Sequence, residues 1–416
     1  MTRRQRHFGA TLVTCGLAFI GAMTLIPHPE EAARSAATPL TCLVCGEVGT
    51  VDVFLNVLLF VPLGLGLGLA GFSWRRALVL GAALSFGIEL LQMKVITGRD
   101  ASLGDLLTNS LGAGLGAILA MTAPRLLRPS LQSSRSLTLG WAALLTLIFA
   151  GTALSLRPAW PTGVSWWGQW APDLGHLAQF PGRVLSVTAA GVPLPPGRAI
   201  NQRQLEAALT ANPELTTTAV LDSATAGLAP IASIFDARRR EVLLLGQDGG
   251  DLIWRVRMWS ARLGLRNPGV RLPGALASPP GDTVTATGRL RGSEFRISTT
   301  RGDAVRSWAL PLSSSWGWSL VLPWPYAFGP EVRFLTALWI AGLLVPLGLW
   351  GARARGVGWA LIAATPVVLL ALIPATAGFA PVHWTEWLAA ALGLGAGAAA
   401  SRWLGGPDAR DLEDPA

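Results

Sequence analysis

The feature that most limits how this chain folds is a recurrence of long apolar runs from which charge is nearly excluded. They extend from about Phe8 to Ile26, Val51 to Phe72, Ala77 to Ile96, Leu103 to Met121, Leu137 to Leu156, Phe334 to Trp350, Val357 to Ala377 and Trp384 to Ala400. About 20 apolar residues in a helix cross a hydrocarbon core about 30 Å thick. The chain therefore reads as a polytopic α-helical membrane protein with about eight TM helices, and the lipid bilayer is its first partner.

Composition agrees. Of 416 residues, 51% are hydrophobic and only 14% charged, whereas soluble domains average about 25% charged. The net charge of +9 is not a nucleic-acid footprint, because the cations come as short Arg clusters between apolar runs. Their placement instead sets orientation. With the amino end inside, Arg75 and Arg76, then Arg125, Arg128 and Arg135, then Arg353 and Arg355, and finally Arg402 all fall on the cytoplasmic side. The opposite connectors hold Glu30, Glu31, Arg34 and Glu47, then Arg99 with Asp100, then His383. This satisfies the positive-inside rule and puts both termini in the cytoplasm of a cell with a plasma (inner) membrane. The first run exceeds the 7–15 residues of a signal-peptide core, so it reads as an uncleaved first span.

One long segment breaks the pattern. Residues 157–333 carry strand signals bounded by turn residues, among them Thr216 to Leu221, Ala229 to Phe235, Glu241 to Gly246, Leu252 to Trp259, Thr283 to Gly288 and Glu294 to Ser298. Short strands at this spacing predict an inserted extracytoplasmic antiparallel β-sandwich, preceded by a helix at about Gln202 to Thr210. The expected domains are a five-helix bundle over 1–156, the β-domain over 157–333, three more helices over 334–404 and a cytoplasmic tail over 405–416.

The polar residues of the first half are few and regularly spaced. Asp52 and Asn56 are four apart, Glu89 and Gln92 three apart, and Asp105 and Asn109 four apart, so each pair shares a helix face. Arg99 and Asp100 occupy the loop between the third and fourth spans. Topology delivers all of these groups to the outer leaflet and its aqueous edge. Ionisable groups at membrane depth are costly and usually face a bundle interior or wet cavity, which makes them functional candidates. Arg99 suits an anionic group, and Glu89 and Asp105 suit proton transfer. The bland alternative is interhelical bonding that only joins the helices.

The order Asp52-x-x-x-Asn56-x-x-x-Phe60-x-Pro62-x-Gly64, Glu89-x-x-Gln92, Arg99-Asp100-x-x-x-x-Asp105-x-x-x-Asn109-x-x-Gly112-x-x-x-Gly116 resembles the VanZ-like family over about Val51 to Leu119. That family is named for a membrane protein linked to low-level resistance to a glycopeptide antibiotic, so the resemblance implies an envelope role without supplying a reaction. Residues from about Ala199 to Leu312 resemble concanavalin-like or laminin-G-like jelly rolls through Phe235-Asp236 and Gly246-Gln-Asp-Gly-Gly-Asp-Leu. Such domains often bind glycans or proteins, with Trp254 and Trp259 as stacking candidates. Cys42 and Cys45 face an oxidising compartment in this topology and form a possible disulfide, with metal binding alongside His28 as the alternative. Loop aspartates such as Asp236, Asp251 and Asp282 also invite calcium, but no complete metal or cofactor motif is present.

Two functions follow. One is an envelope protein whose membrane half binds an extracytoplasmic lipid-linked or cell-wall component while the jelly roll engages glycan. The other is a hydrolase or transferase acting on a lipid-linked or phosphorylated envelope substrate, with Glu89, Asp105 and Arg99 as catalytic candidates.

Overall fold

The computed structural model describes residues 3–27, 39–96, 102–175, 177–199 and 201–405. The chain divides into two compact units, Met1–Ser136 with Ala352–Ala354 and Ala399–Ala416, and Leu137–Gly351 with Arg355–Ala398.

The first unit is a helical bundle of α1 (Arg3–Thr24), α2 (Gly49–Ala70), α3 (Trp74–Lys94) and α4 (Leu103–Leu127). Ser73 caps α3 by accepting a hydrogen bond from the Arg76 N–H, and Ser102 caps α4 by accepting one from the Asp105 N–H at 3.0 Å. A left-handed Gly71 (φ 105°) ends α2 and turns the chain into α3.

Small residues decide how closely these helices pack. A Cβ added to Gly64 would overlap the Ala113 carbonyl, one on Gly112 the Val57 carbonyl, and one on Gly116 the Val61 carbonyl. The backbones of α2 and α4 therefore touch along three turns, as small-xxx-small faces allow. Gly9 and Gly66 bring α1 against α2 in the same way, with the Ala70 N and Val13 N each 2.7 Å from the added Cβ. Ile20, Phe60, Leu63, Leu67, Ala77, Ile88, Ala113 and Ala117 form the core between them.

The second unit joins membrane helices to a β-domain. Its helices are the larger parts of α5 (Leu131–Ser155), α8 (Val332–Arg353), α9 (Arg355–Ala377) and α10 (Trp384–Gly405). Leu145 and Phe149 of α5 are buried with Ile340, Leu344 and Leu347 of α8, and the Trp141 indole donates to the Leu343 carbonyl at 2.8 Å. The fifth helix thus packs against α8. A π-helical turn over Val368–Leu372 precedes Pro374, whose missing N–H would otherwise interrupt a regular helix.

Seven helices among the described residues are long and apolar enough to cross a membrane. The eighth apolar run does form a 22-residue helix, α10, but Glu386, Arg402 and its many Gly and Ala residues leave it less apolar.

The β-domain has two facing sheets. One runs in the order β13 (Ala327–Phe328), β9 (Gly269–Leu272), β8 (Asp251–Val256), β7 (Glu241–Gly249), β6 (Thr225–Asp236), β1 (Trp166–Trp170), β4 (Gly197–Arg198). The other runs β12 (Ala304–Pro311), β11 (Glu294–Arg301), β10 (Thr283–Arg291), β5 (Glu214–Val220), β2 (Arg183–Ala189), β3 (Val192–Pro193). All pairings are antiparallel except β13 with β9. Alternation fixes the faces. Leu215, Thr217 and Ala219 of β5 point inward with Val284, Ala286 and Leu290 of β10, while Thr216 bonds Thr287 and Thr218 bonds Thr285 on the outer face. Two short helices complete the domain, α6 (Gln202–Ala211) and α7 (Trp259–Arg262). The β8 strand ends at Val256, earlier than sequence alternation indicates, because Trp259 opens α7.

Asp236 closes the β6–β7 turn. Its Oδ1 accepts the amides of Arg238 and Arg240 at 2.9 Å each, and its Oδ2 accepts the Arg240 guanidinium at 2.6 and 2.7 Å. Burial pushes the carboxyl up, but the Arg240 side chain, the two amides and the Arg240 charge outweigh it and hold Asp236 below the usual carboxylate range.

Two predictions arise here. Gly64→Leu or Gly112→Leu loses about 1–3 kcal/mol or prevents folding, read as a lower melting temperature in detergent, whereas Gly87→Ala, with nothing within 4 Å of its added Cβ, does not lower it. Because the folded-state pKa of Asp236 is depressed, its stabilisation is complete above pH of about 4 and is lost as pH falls through the folded value. Acid titration of β-domain unfolding is therefore steeper in wild type than in Asp236→Asn, which is also less stable at neutral pH.

Candidate functional site

The spacing of the polar pairs brings one end of the first unit to chemical order. Asp52 lies in the first turn of α2, and Asn56 follows one turn later on the same face. From there the Asn56 Nδ2 donates to Asp105 Oδ1 at 2.6 Å, tying α2 to the first turn of α4. The Ser102 N–H donates to Glu89 Oε2 at 2.8 Å, tying α3 to the same turn. Ser102 thus bonds the Glu89 carboxylate through its N–H and caps the helix that carries Asp105 through its Oγ. Glu89 is 7% exposed and Ser102 9%, so the acid of α3 is buried against the serine that starts α4.

One turn deeper, the Asn109 Nδ2 donates to Ser85 Oγ at 3.0 Å. Its Oδ1 is buried with no hydrogen-bond partner among the described residues, which leaves an acceptor facing the helix interior. A buried polar atom left this way carries a desolvation cost that a water or ligand donor removes. Gln92 turns elsewhere. Its Nε2 donates to the Thr24 carbonyl at 3.0 Å and joins α3 to the end of α1.

The two loop candidates, Arg99 and Asp100, lie outside the described residues. Of the remaining candidates, the structure joins Asn56 to Asp105 and Glu89 to Ser102 at the same start of α4, places Asn109 one turn below, and gives Gln92 a contact with α1. Ser102 and Ser85 escaped the sequence reading. Ser102-Leu-Gly-Asp105 ahead of an apolar run is nevertheless a helix-start signature, and that signal points to Ser102.

Close packing explains why the cluster is held together. The Cβ of any larger residue at Gly104 would strike the Leu43 carbonyl, and the Leu103 and Gly104 amides donate to the Leu40 and Cys42 carbonyls. The Cys42–Cys45 disulfide, with Cα atoms 5.9 Å apart, closes this short loop against the start of α4. The loop therefore borders the acid cluster.

The β-domain candidates fare differently. Trp254 is fully buried, with Gly288 packed on its ring, so it presents no face to a glycan. Alternation along β8 turns it into the core. Trp259 is 45% exposed, and the Arg262 guanidinium lies 4.7 Å from its ring centroid. Asp236, Asp251 and Asp282 each serve separate local partners, respectively Arg240, Arg271 with the Gly274 amide, and Ser278. Among the described residues no group of three or more His, Cys, Asp and Glu is gathered to hold a metal ion.

Breaking the α2–α4 bond tests whether it is structural. A double-mutant cycle on Asn56→Leu and Asp105→Leu, read by unfolding in detergent, gives a coupling of about 0.6–2 kcal/mol; additive single effects would show that the two side chains do not interact.

Comparison with known proteins bears on the same segment. No curated protein and no solved structure matches the chain. The VanZ/LLP1 family model matches residues 12–127, which hold most of α1 and all of α2, α3 and α4. The match encloses every residue of the acid cluster, and with seven helices fit to cross a bilayer, this chain is a multi-pass membrane protein that carries a VanZ-like domain over residues 12–127.

Proposed function

We propose that the VanZ-like domain is a recognition site for an extracytoplasmic, lipid-linked or cell-wall ligand, and that the β-domain engages envelope glycan or protein beside it. The observation that carries this reading is that Asn56 of α2 and Glu89 of α3 both bond to the start of α4, Asn56 to the Asp105 carboxylate and Glu89 to the Ser102 N–H, with the orphan Asn109 acceptor one turn below. Acids and amides inside a helix bundle are costly, and a cluster that retains an unsatisfied acceptor has hydrogen-bonding capacity in excess of what joins the helices.

Charge supports an outward-facing site. Within the bundle, Arg75 and Arg76 lie at the start of α3 and Arg125 and Arg128 at the end of α4, opposite to the ends that bear Glu89 and Asp105. By the positive-inside rule the acid end faces away from the cytoplasm. On this orientation the Cys42–Cys45 loop lies in an oxidising compartment, where a disulfide persists. The termini are cytoplasmic and the β-domain is outside. Arg99, in the loop between α3 and α4, supplies a cation for an anionic ligand group. A link to glycopeptide tolerance fits a protein that contacts cell-wall precursors.

Titration of the full chain in nanodiscs with lipid-linked wall precursors and envelope glycans tests this. Arg99→Ala and Glu89→Gln are each expected to weaken binding at least tenfold. Equal affinity in wild type and both variants would remove the cluster from the account.

A second reading, a hydrolase or transferase on a lipid-linked or phosphorylated substrate, is favoured by two carboxylates held at adjoining helix ends, Glu89 by the Ser102 N–H and Asp105 by the Asn56 amide. Turnover distinguishes the two. The enzyme reading requires product from wild type and its loss in Asp105→Asn, and binding without product decides for recognition.

A further inference from the structure

Another buried carboxylate, on a helix of the second unit, is independent of the cluster above. Glu386, in the first turn of α10, is 7% exposed. Ser315 Oγ donates to its Oε2 at 2.5 Å, and Ser313 Oγ lies 3.4 and 3.3 Å from Oε1 and Oε2. Among the described residues no cationic side chain forms an ion pair with it. A carboxylate held this deep is costly unless a cation or a full set of donors meets it, and two hydroxyls with the His383 backbone N–H are still a partial set.

The carboxylate lines a cavity of about 120 Å³ whose other polar walls are Ser313, Arg333, Thr336, His383 and Thr385. Leu312 and Val382 are among its apolar walls. An engineered cavity of about 150 Å³ holds benzene, so this one has room for about six heavy atoms. It thus presents one buried anion and one exposed cation, Arg333, across a space the size of a small zwitterion.

Its level in the fold narrows the ligand. Arg333 belongs to the first turn of α8, which is long and apolar enough to span a bilayer. Phe334 on that turn is 66% exposed, and Trp384 and Trp387 at the start of α10 are 65% and 38% exposed. Exposed tryptophan rings at the ends of such helices mark the depth of lipid head groups.

We propose that this cavity takes the aminoethyl end of a phospholipid's aminoethyl-phosphate head, with the ammonium on Glu386 inside and the phosphate at the cavity mouth on the exposed Arg333. The primary ammonium donates hydrogen bonds to the carboxylate that a quaternary choline cannot, and the guanidinium matches phosphate geometry. Leu312 and Val382 accommodate the ethylene bridge.

Native mass spectrometry of the full chain, released from nanodiscs of equimolar phosphatidylethanolamine and phosphatidylcholine, tests the assignment, with free phosphoethanolamine as a separate competitor. Wild type is expected to retain phosphatidylethanolamine at least tenfold over phosphatidylcholine. Glu386→Gln abolishes that preference. Should that variant fail to fold, Arg333→Gln, at an exposed position, is expected to lower retention at least fivefold. Displacement by free phosphoethanolamine identifies the same head-group chemistry from a soluble source, and retention of lipid alone identifies the membrane as the source. Equal retention of the two lipids by wild type, or a preference unchanged in both variants, overturns the proposal.

Discussion

Hydrocarbon offers a carboxylate or an amide nothing to bond with, and most of the arrangement in the VanZ-like domain answers that constraint. Asn56, Glu89 and Asp105 are each provided with a partner from another helix or from the helix start next to it. Such bonds need the backbones to be close. Gly64, Gly112 and Gly116 let α2 and α4 touch at their carbonyls, so side chains as short as Asn56 and Asp105 can meet across the seam. The glycines and the acids are therefore one device, the first setting the distance and the second using it.

Much of this was legible in the sequence because the bilayer simplifies the code. Charge-free runs of spanning length reveal the helices directly, and spacings of three and four reveal which polar residues share a face. The meeting of α3 and α4 at one end followed from the short loop that joins them. What the sequence did not show was Ser102 as the group between Glu89 and Asp105, because its role lies in a backbone N–H and a capping hydroxyl, and neither is visible as charge. Gln92 was misplaced for a related reason. Three-residue spacing puts it on the face of Glu89, but a long side chain swings to the Thr24 carbonyl at the neighbouring helix end.

The β-domain was legible where alternation was clean and obscure where it was not. Strands β5, β10 and β11 follow the period-2 rule and lie where their patterns indicate. The β1 strand, Trp166–Trp170, carries three tryptophans and a glycine with no alternation of polarity, and it passed unseen although Trp166 is fully buried. The same limit undid Trp254 as a ligand face. A tryptophan in a strand of a two-sheet domain faces either water or the opposite sheet, and Gly288 on the facing strand settles the matter by leaving room for the ring. Glu386 shows the converse. In sequence it is one acid beside an apolar run, and only folding brings Ser313 and Ser315 to it from the end of the β-domain.

The central claim is that the polar ends of α2, α3 and α4 enclose a ligand and do more than hold one another. A density map of the full chain in nanodiscs formed with lipid extracted from its own envelope addresses this most directly. The account predicts non-protein density between these three helices, within hydrogen-bonding distance of Glu89 or Asp105 and reaching toward Asn109. Tightly closed side chains with no such density, or acyl chains lying against Glu89 and Asp105, would contradict it.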